Sequence, residues 1–286
     1  MGEITERLAV PGPSPLPKDL VPRLLSALVM AAVALACNWA GSVPFALLVF
    51  GISLAMSWEW ARIVRGVSID SALIAHAISV TAAVILAAYG ATFLAMAAVV
   101  AGVIAVFACV PGHQGIASGL GVAYVGVPAI ALIWLRGGDS YGALAILFIF
   151  VIVWTTDTFA YLTGRLIGGP KLWPALSPGK TWAGTIGGLA FAALAGLLFA
   201  TSAAYPTAPL ALAGVAILLS VVSQIGDLGE SALKRSYDVK NASDLIPGHG
   251  GFMDRMDGIV TAATSAAILA ALRAGSPPGQ ALLFWP

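Results

Sequence analysis

Tyr141-Gly-Ala-Leu-Ala-Ile-Leu-Phe-Ile-Phe-Val-Ile-Val-Trp154-Thr-Thr-Asp157-Thr-Phe-Ala-Tyr161 is the stretch on which the fold turns. It carries no charge until Asp157, and no polar face at helical spacing. A helix needs about 20 predominantly apolar residues to cross a bilayer, and this run is long enough. Outward from it, eight more apolar runs lie near 24–40, 43–60, 72–89, 91–110, 117–135, 182–203, 207–226 and 257–273. Backbone polar groups in lipid must be satisfied within the protein, and a chain this rich in Ala, Leu, Val and Gly does so as helices. The expected fold is an all-α integral membrane protein, a polytopic bundle of about nine transmembrane helices. Gly184, Gly187 and Gly188 suit close helix–helix contact.

The composition agrees. Of 286 residues, 59% are hydrophobic and 9% charged, with mean hydropathy +0.95. Soluble domains are about a quarter charged, so a soluble enzyme, a disordered chain and a coiled coil are excluded. The net charge of +1 supplies no basic field for a nucleic-acid partner. Cys37 and Cys109 lie in apolar runs and suit a disulfide-free protein.

Three regions are expected. Residues 1–22, with Pro11, Pro13, Pro15, Pro17 and Pro22, form a disordered cytoplasmic tail. Residues 23–140 form N-terminal transmembrane helices, and 141–286 a C-terminal transmembrane catalytic region. With the N-terminus inside and nine spans alternating, twelve basic residues face the cytoplasm: Arg7, Lys18, Arg23, Arg62, Arg65, Arg165, Lys171, Lys180, Lys234, Arg235, Lys240 and Arg255. Only two, Arg136 and Arg273, face outward. That bias fixes the orientation and favours an odd number of spans.

Charge is also unequal along the chain. Six charged residues lie between Leu24 and Val153, and fourteen between Trp154 and Asp257. Charge at membrane depth is costly and marks function, so the site is expected where the C-terminal spans meet the cytoplasm. Asp157 sits about two turns before Arg165, as a site residue or as a structural ion-pair partner. Gly168 to Thr181 reads as a loop rich in Gly and Pro. Gly179-Lys180-Thr181 is not a Walker A end, because the first Gly of that pattern would fall on Pro174. Ser177, Lys180 and Thr181 before a helix N-terminus can still hold phosphate; the bland alternative is a basic anchor and a helix cap.

In Asp227-Leu-Gly-Glu230-Ser231-Ala-Leu-Lys234-Arg235, residues 227, 230, 231 and 234 share a helical face. Pro247-Gly248-His249-Gly250-Gly251 cannot be regular helix and can turn amides toward an anion. Asp254 and Asp257 lie at i, i+3 in the first turn of the last span. Hard carboxylate oxygens suit Mg²⁺, which binds through one or two carboxylates and substrate phosphates. His249 fits a phosphate donor or proton-transfer group better than a metal ligand.

Ser231-x-x-Lys234-Arg235, Lys240, Ser243, Pro247-Gly-His249-Gly250-Gly251 and Asp254-Arg255-x-Asp257 together closely resemble the signature of phosphatidate cytidylyltransferases, or CDP-diacylglycerol synthases. Asp157 to Gly164, Ser177-Pro178-x-Lys180-Thr181 and Gly226-Asp227-Leu228 resemble the family too. The specific resemblance covers roughly residues 150–260. The chain departs from the pattern at Asn241, usually Asp, and at Gly179, often Lys. Asp244 either replaces the missing charge beside Lys240 or Arg235, or position 241 simply faces water.

The resemblance implies the reaction of CTP with phosphatidate, giving CDP-diacylglycerol and pyrophosphate, with Mg²⁺ and with or without a second cation. It implies catalytic roles for Asp227, Lys234, Arg235, His249, Asp254 and Asp257, with the metal on Asp227, Asp254 and Asp257. Asp157, Ser177, Lys180, Thr181, Ser231, Lys240, Gly250, Gly251 and Arg255 would bind substrate. The expected setting is the bacterial inner membrane, with a cytoplasmic site, membrane lipid as partner, and a homodimer compatible with the sequence. Two rivals were weighed. A CDP-alcohol phosphotransferase shares Asp254-x-x-Asp257-Gly258, but its further carboxylates are absent: after Gly258 the one charged residue is Arg273. A transporter would place charge near the bilayer midplane within internal repeats, and neither is found.

Overall fold

A computed structural model of the protein describes residues 20–202, 207–246, 250–273 and 275–285. Most of the expected tail lies outside the described residues, as do Pro247, Gly248 and His249. The helices follow the apolar runs: α1 (Leu20–Ala40), α2 (Ser42–Arg65), α3 (Ser71–Ala88), α4 (Thr92–Cys109), α5 (His113–Arg136), α6 (Ser140–Ile167), α7 (Trp182–Ser202), α8 (Pro209–Ser236) and α9 (Met253–Leu272). Eight of them, α2 to α9, are long and apolar enough to cross a membrane; the apolar part of α1, Leu25–Ala40, is shorter. The protein is an all-α, multi-pass membrane protein.

Short connections make sequence neighbours antiparallel. Helix α5 is central: 67% of its most apolar window is buried within the bundle, against 22% for α4, which offers its faces to lipid. Trp60 Nε1 of α2 donates to the Ala117 carbonyl of α5 at 2.9 Å and fixes that pair. Helices α6 and α7 approach closely because α7 lacks side chains at the contact. A Cβ on Gly184 would lie 2.6 Å from the Ala160 carbonyl, and one on Gly187 would collide with Thr163.

The structure differs from the sequence expectation in three places. Leu20–Pro22, assigned to the tail, belong to α1; Pro is tolerated in a first turn, where its missing N–H costs no bond. The segment read as a loop contains an antiparallel hairpin, β1 (Lys171–Trp173) and β2 (Ser177–Thr181), with Lys171 opposite Thr181 and Trp173 opposite Ser177. Helix α8, by contrast, keeps to expectation: it runs ten residues past its apolar part and carries Asp227 to Arg235 as continuous helix. A short helix α10 (Pro278–Leu283) follows the last span. Leu282 and Leu283 are fully buried there, and the Trp285 carbonyl accepts from Ala208 N at 2.8 Å. That contact ties the chain end to the start of α8, the end of the bundle away from the site.

Candidate active site

The end of α6, the hairpin, the start of α7, the end of α8 and the start of α9 enclose a cavity of about 890 Å³. Ligand pockets run to about 300–1,000 Å³, so this one has room for a nucleoside triphosphate. Its walls carry seven basic residues (Arg165, Lys171, Lys180, Lys234, Arg235, Lys240, Arg255) and four acidic ones (Asp157, Asp227, Asp254, Asp257). The excess of positive charge suits a polyanion, while the carboxylates suit a cation. Arg165, Lys171, Arg235, Lys240 and Arg255 are exposed, whereas Asp227, Asp254 and Asp257 are half-buried. Basic side chains therefore ring a more acidic floor.

Three ion pairs, made by two lysines, organise that floor. Lys180 Nζ of β2 meets Asp227 Oδ2 of α8 at 2.5 Å. Lys234 Nζ, one helical turn past Glu230, lies 3.1 Å from Glu230 Oε1 and 2.5 Å from Asp254 Oδ1. Asp254 Oδ2 also accepts from Ala242 N at 2.9 Å and Gly251 N at 2.8 Å. Ser231 Oγ reaches Asp227 Oδ1 at 3.5 Å. Asp257 accepts from Gly258 N at 2.7 Å and lies against Glu230. A Cβ on Gly226 would lie 2.6 Å from the Asp257 carbonyl oxygen, so its absence lets α8 and α9 bring Asp227 and Asp257 together. The charges of Asp227, Glu230 and Asp157 act on Asp257, and that of Asp227 on Asp157.

Of the residues singled out from the sequence, Asp157, Lys180, Thr181, Asp227, Ser231, Lys234, Arg235, Lys240, Asp254, Arg255 and Asp257 line this cavity. Thr181 is also a helix cap: its Oγ1 accepts from Gly184 N at 3.1 Å. Ser177, opposite Trp173 in the hairpin, lies outside the lining. So do Gly250, bridged to Ile246, and Gly251. Of the amides expected to face an anion, Gly250 N goes to the Ile246 carbonyl and Gly251 N to Asp254; the two that follow, Phe252 N and Met253 N, go to Glu59. His249 lies outside the described residues. Asn241 is exposed at the cavity. Asp244 is exposed, lies off the cavity, and forms no ion pair among the described residues, so it does not hold Lys240 or Arg235.

Two residues escaped the sequence reading. Gln224 lines the cavity one turn before Asp227, and helical spacing alone was enough to place it there. Glu59 of α2 is fully buried beside the site and was passed over as one charge in an apolar run. The cost of burying a carboxylate was the available signal.

Among the described residues, no three His, Cys, Asp or Glu side chains converge as a ready-made metal cage. The donor set nevertheless fits Mg²⁺, which keeps several waters and is usually bound by one or two carboxylates together with substrate phosphates. Asp227, Asp254 and Asp257 line one cavity with hard oxygen atoms, and a carboxylate has about four lone-pair sites, more than these bonds use.

Residues 21–272 match the Cytidylyltransferase family. The chain is 39% identical over 269 residues to the phosphatidate cytidylyltransferases of Brucella suis biovar 1 and Brucella melitensis biotype 1, covering 93% of this chain and 98% of each relative. It is 42% identical over 138 residues to the phosphatidate cytidylyltransferase of Bacillus subtilis, covering 48% of this chain and 51% of that one.

Proposed function

The chain belongs to the Cytidylyltransferase family, and on that premise we propose that it transfers the cytidylyl group of CTP to phosphatidate, giving CDP-diacylglycerol and pyrophosphate. The carrying observation is the cavity itself: a basic rim over coupled carboxylates, at helix ends whose outer faces are apolar. A soluble polyanion reaches such a site from water. A lipid phosphate reaches it from the bilayer, with its acyl chains against exposed residues such as Leu162, Leu166 and Ile167.

In the proposed reaction a phosphate oxygen of phosphatidate attacks the α-phosphorus of CTP. The new P–O bond forms as the bond to the β-phosphate bridging oxygen breaks, and pyrophosphate leaves. The nucleophile is already ionised at neutral pH, so no general base is needed. What remains is to bring like charges together and stabilise the leaving group, a task of positioning and electrostatics. Lys180, Arg235, Lys240 and Arg255 hold phosphates. Lys234, oriented by Glu230 and Asp254, presents its remaining donor capacity to the same space. Asp227, Asp254 and Asp257 would hold Mg²⁺, which would supply positive charge to balance the triphosphate and the departing pyrophosphate. The basic residues at this end support a cytoplasmic orientation, and the bacterial relatives support an inner-membrane setting.

Purified protein in detergent is expected to turn over radiolabelled CTP only when phosphatidate is supplied, and to stop when EDTA is added. Turnover that is undiminished in excess EDTA refutes the metal assignment. No turnover with phosphatidate refutes the reaction.

A further inference from the structure

All the residues lining the cavity come from Asp157 onward in the chain. One charged residue of the N-terminal half nevertheless reaches the structure behind it. Glu59 lies near the end of α2 with no exposed surface. Its Oε1 accepts from Ser243 Oγ at 2.5 Å and from Phe252 N at 2.9 Å, and its Oε2 accepts from Met253 N at 2.7 Å. Ser243 is 184 residues away in sequence. A carboxylate at this depth is costly unless it is hydrogen-bonded, and here both oxygens are used.

The arrangement solves a local problem. Helix α9 begins without a capping side chain of its own, since its N-cap position is Phe252. The first N–H groups of a helix need acceptors, and Glu59 supplies them from another helix. The next residue, Asp254, takes the Gly251 and Ala242 amides and pairs with Lys234. The Gly251–Met253 turn is thus held on one side by Glu59 and on the other by Asp254. A Cβ on Gly251 would collide with Glu59, so the fit leaves no slack.

We infer that Glu59 is a positioning residue for cytidylyl transfer: it fixes Ser243 and the Gly251–Met253 turn, and through them the carboxylate of Asp254. Glu59 does not line the cavity and touches no substrate. This rests on the proposed reaction for its kinetic arm only.

The test compares Glu59→Gln with Phe45→Leu, a core change at the far end of the same helix. Glu59→Gln keeps the shape but turns one acceptor oxygen into a donor facing an N–H. The expected result is a kcat lowered about 10- to 100-fold, the range typical of residues that orient a ligand-bearing group. KM for CTP stays within about twofold. Amide hydrogen exchange speeds up in the peptide spanning 250–256. Phe45→Leu lowers the melting temperature without either effect. If Glu59→Gln fails to fold, Ser243→Ala, which removes one donor, carries the same test with a smaller loss. The inference is overturned if kcat per folded molecule is unchanged, or if exchange in 250–256 matches the wild type. If the wild-type protein shows no CTP turnover, the functional reading fails, and the exchange comparison alone then decides whether Glu59 holds the turn.

Discussion

Lys180 and Asp227 meet at 2.5 Å although one lies on a hairpin strand and the other on α8. The pair closes the cavity wall between α6–α7 and α8–α9, and on the proposed reaction it sets an ammonium where a substrate phosphate and a cation would compete. Each charge answers the other. On the proposed reaction, Lys180 would turn to phosphate and leave Asp227 to a metal.

Lys180→Gln is therefore expected to lower kcat/KM for CTP. Losing a hydrogen bond to a charged group costs about 1.5–3 kcal/mol, which is roughly 10- to 150-fold in rate. Steady-state kinetics in detergent checks this, and a loss under about threefold means that Lys180 only anchors the hairpin.

The two carboxylates of the Asp254-x-x-Asp257 pair are expected to behave differently. Asp254→Asn removes the charge beside Lys234 and leaves one acceptor oxygen where Lys234 and two backbone amides share two, so activity and melting temperature fall together. Asp257→Asn relieves the crowding of like charges that Asp227 and Glu230 press on this position. Activity is expected to fall at least about tenfold while the melting temperature holds or rises. Equal destabilisation by the two variants contradicts the assignment.

Asp70, in the turn between α2 and α3, predicts an acid-sensitive step. The Arg65 guanidinium hydrogen-bonded to it, at 2.7 Å, holds its carboxyl below the ordinary 3.8, with Leu73 N adding to the effect. A carboxyl lowered on folding contributes stability above that ordinary value and loses it as pH falls through the folded value. Thermal melts across acidic pH are expected to show a steeper loss for the wild type than for Asp70→Asn, which starts less stable. Parallel curves refute the contribution.

Orientation is testable with single cysteines after Cys37 and Cys109 are replaced. Cysteines at 175 and 245 are expected to react with an impermeant thiol reagent only in opened cells, and one at 138 also in intact cells with a permeabilised outer membrane. The reverse pattern overturns the orientation drawn from the basic residues.

The apolar runs and the sorting of charge are local properties, so the sequence alone determined the bundle, its helix order and the end that carries the site. Bilayer thickness sets the length of each run, and helical period puts Asp227, Ser231 and Lys234 on one wall. Tertiary structure alone decided the rest. A single glutamate in an apolar helix has no period and no neighbour in sequence to mark its partner, so the hydrogen bonds of Glu59 to Ser243, Phe252 and Met253 became visible only when α2 and α9 packed together. The glycine-rich amides illustrate the same limit. Sequence shows that the Gly-rich turn can aim amides at an anion, but the amides that follow it, of Phe252 and Met253, meet theirs in Glu59, 193 and 194 residues away. An acceptor already held in place by packing takes a buried amide before any ligand arrives, because leaving that amide unpaired costs more than the bond returns.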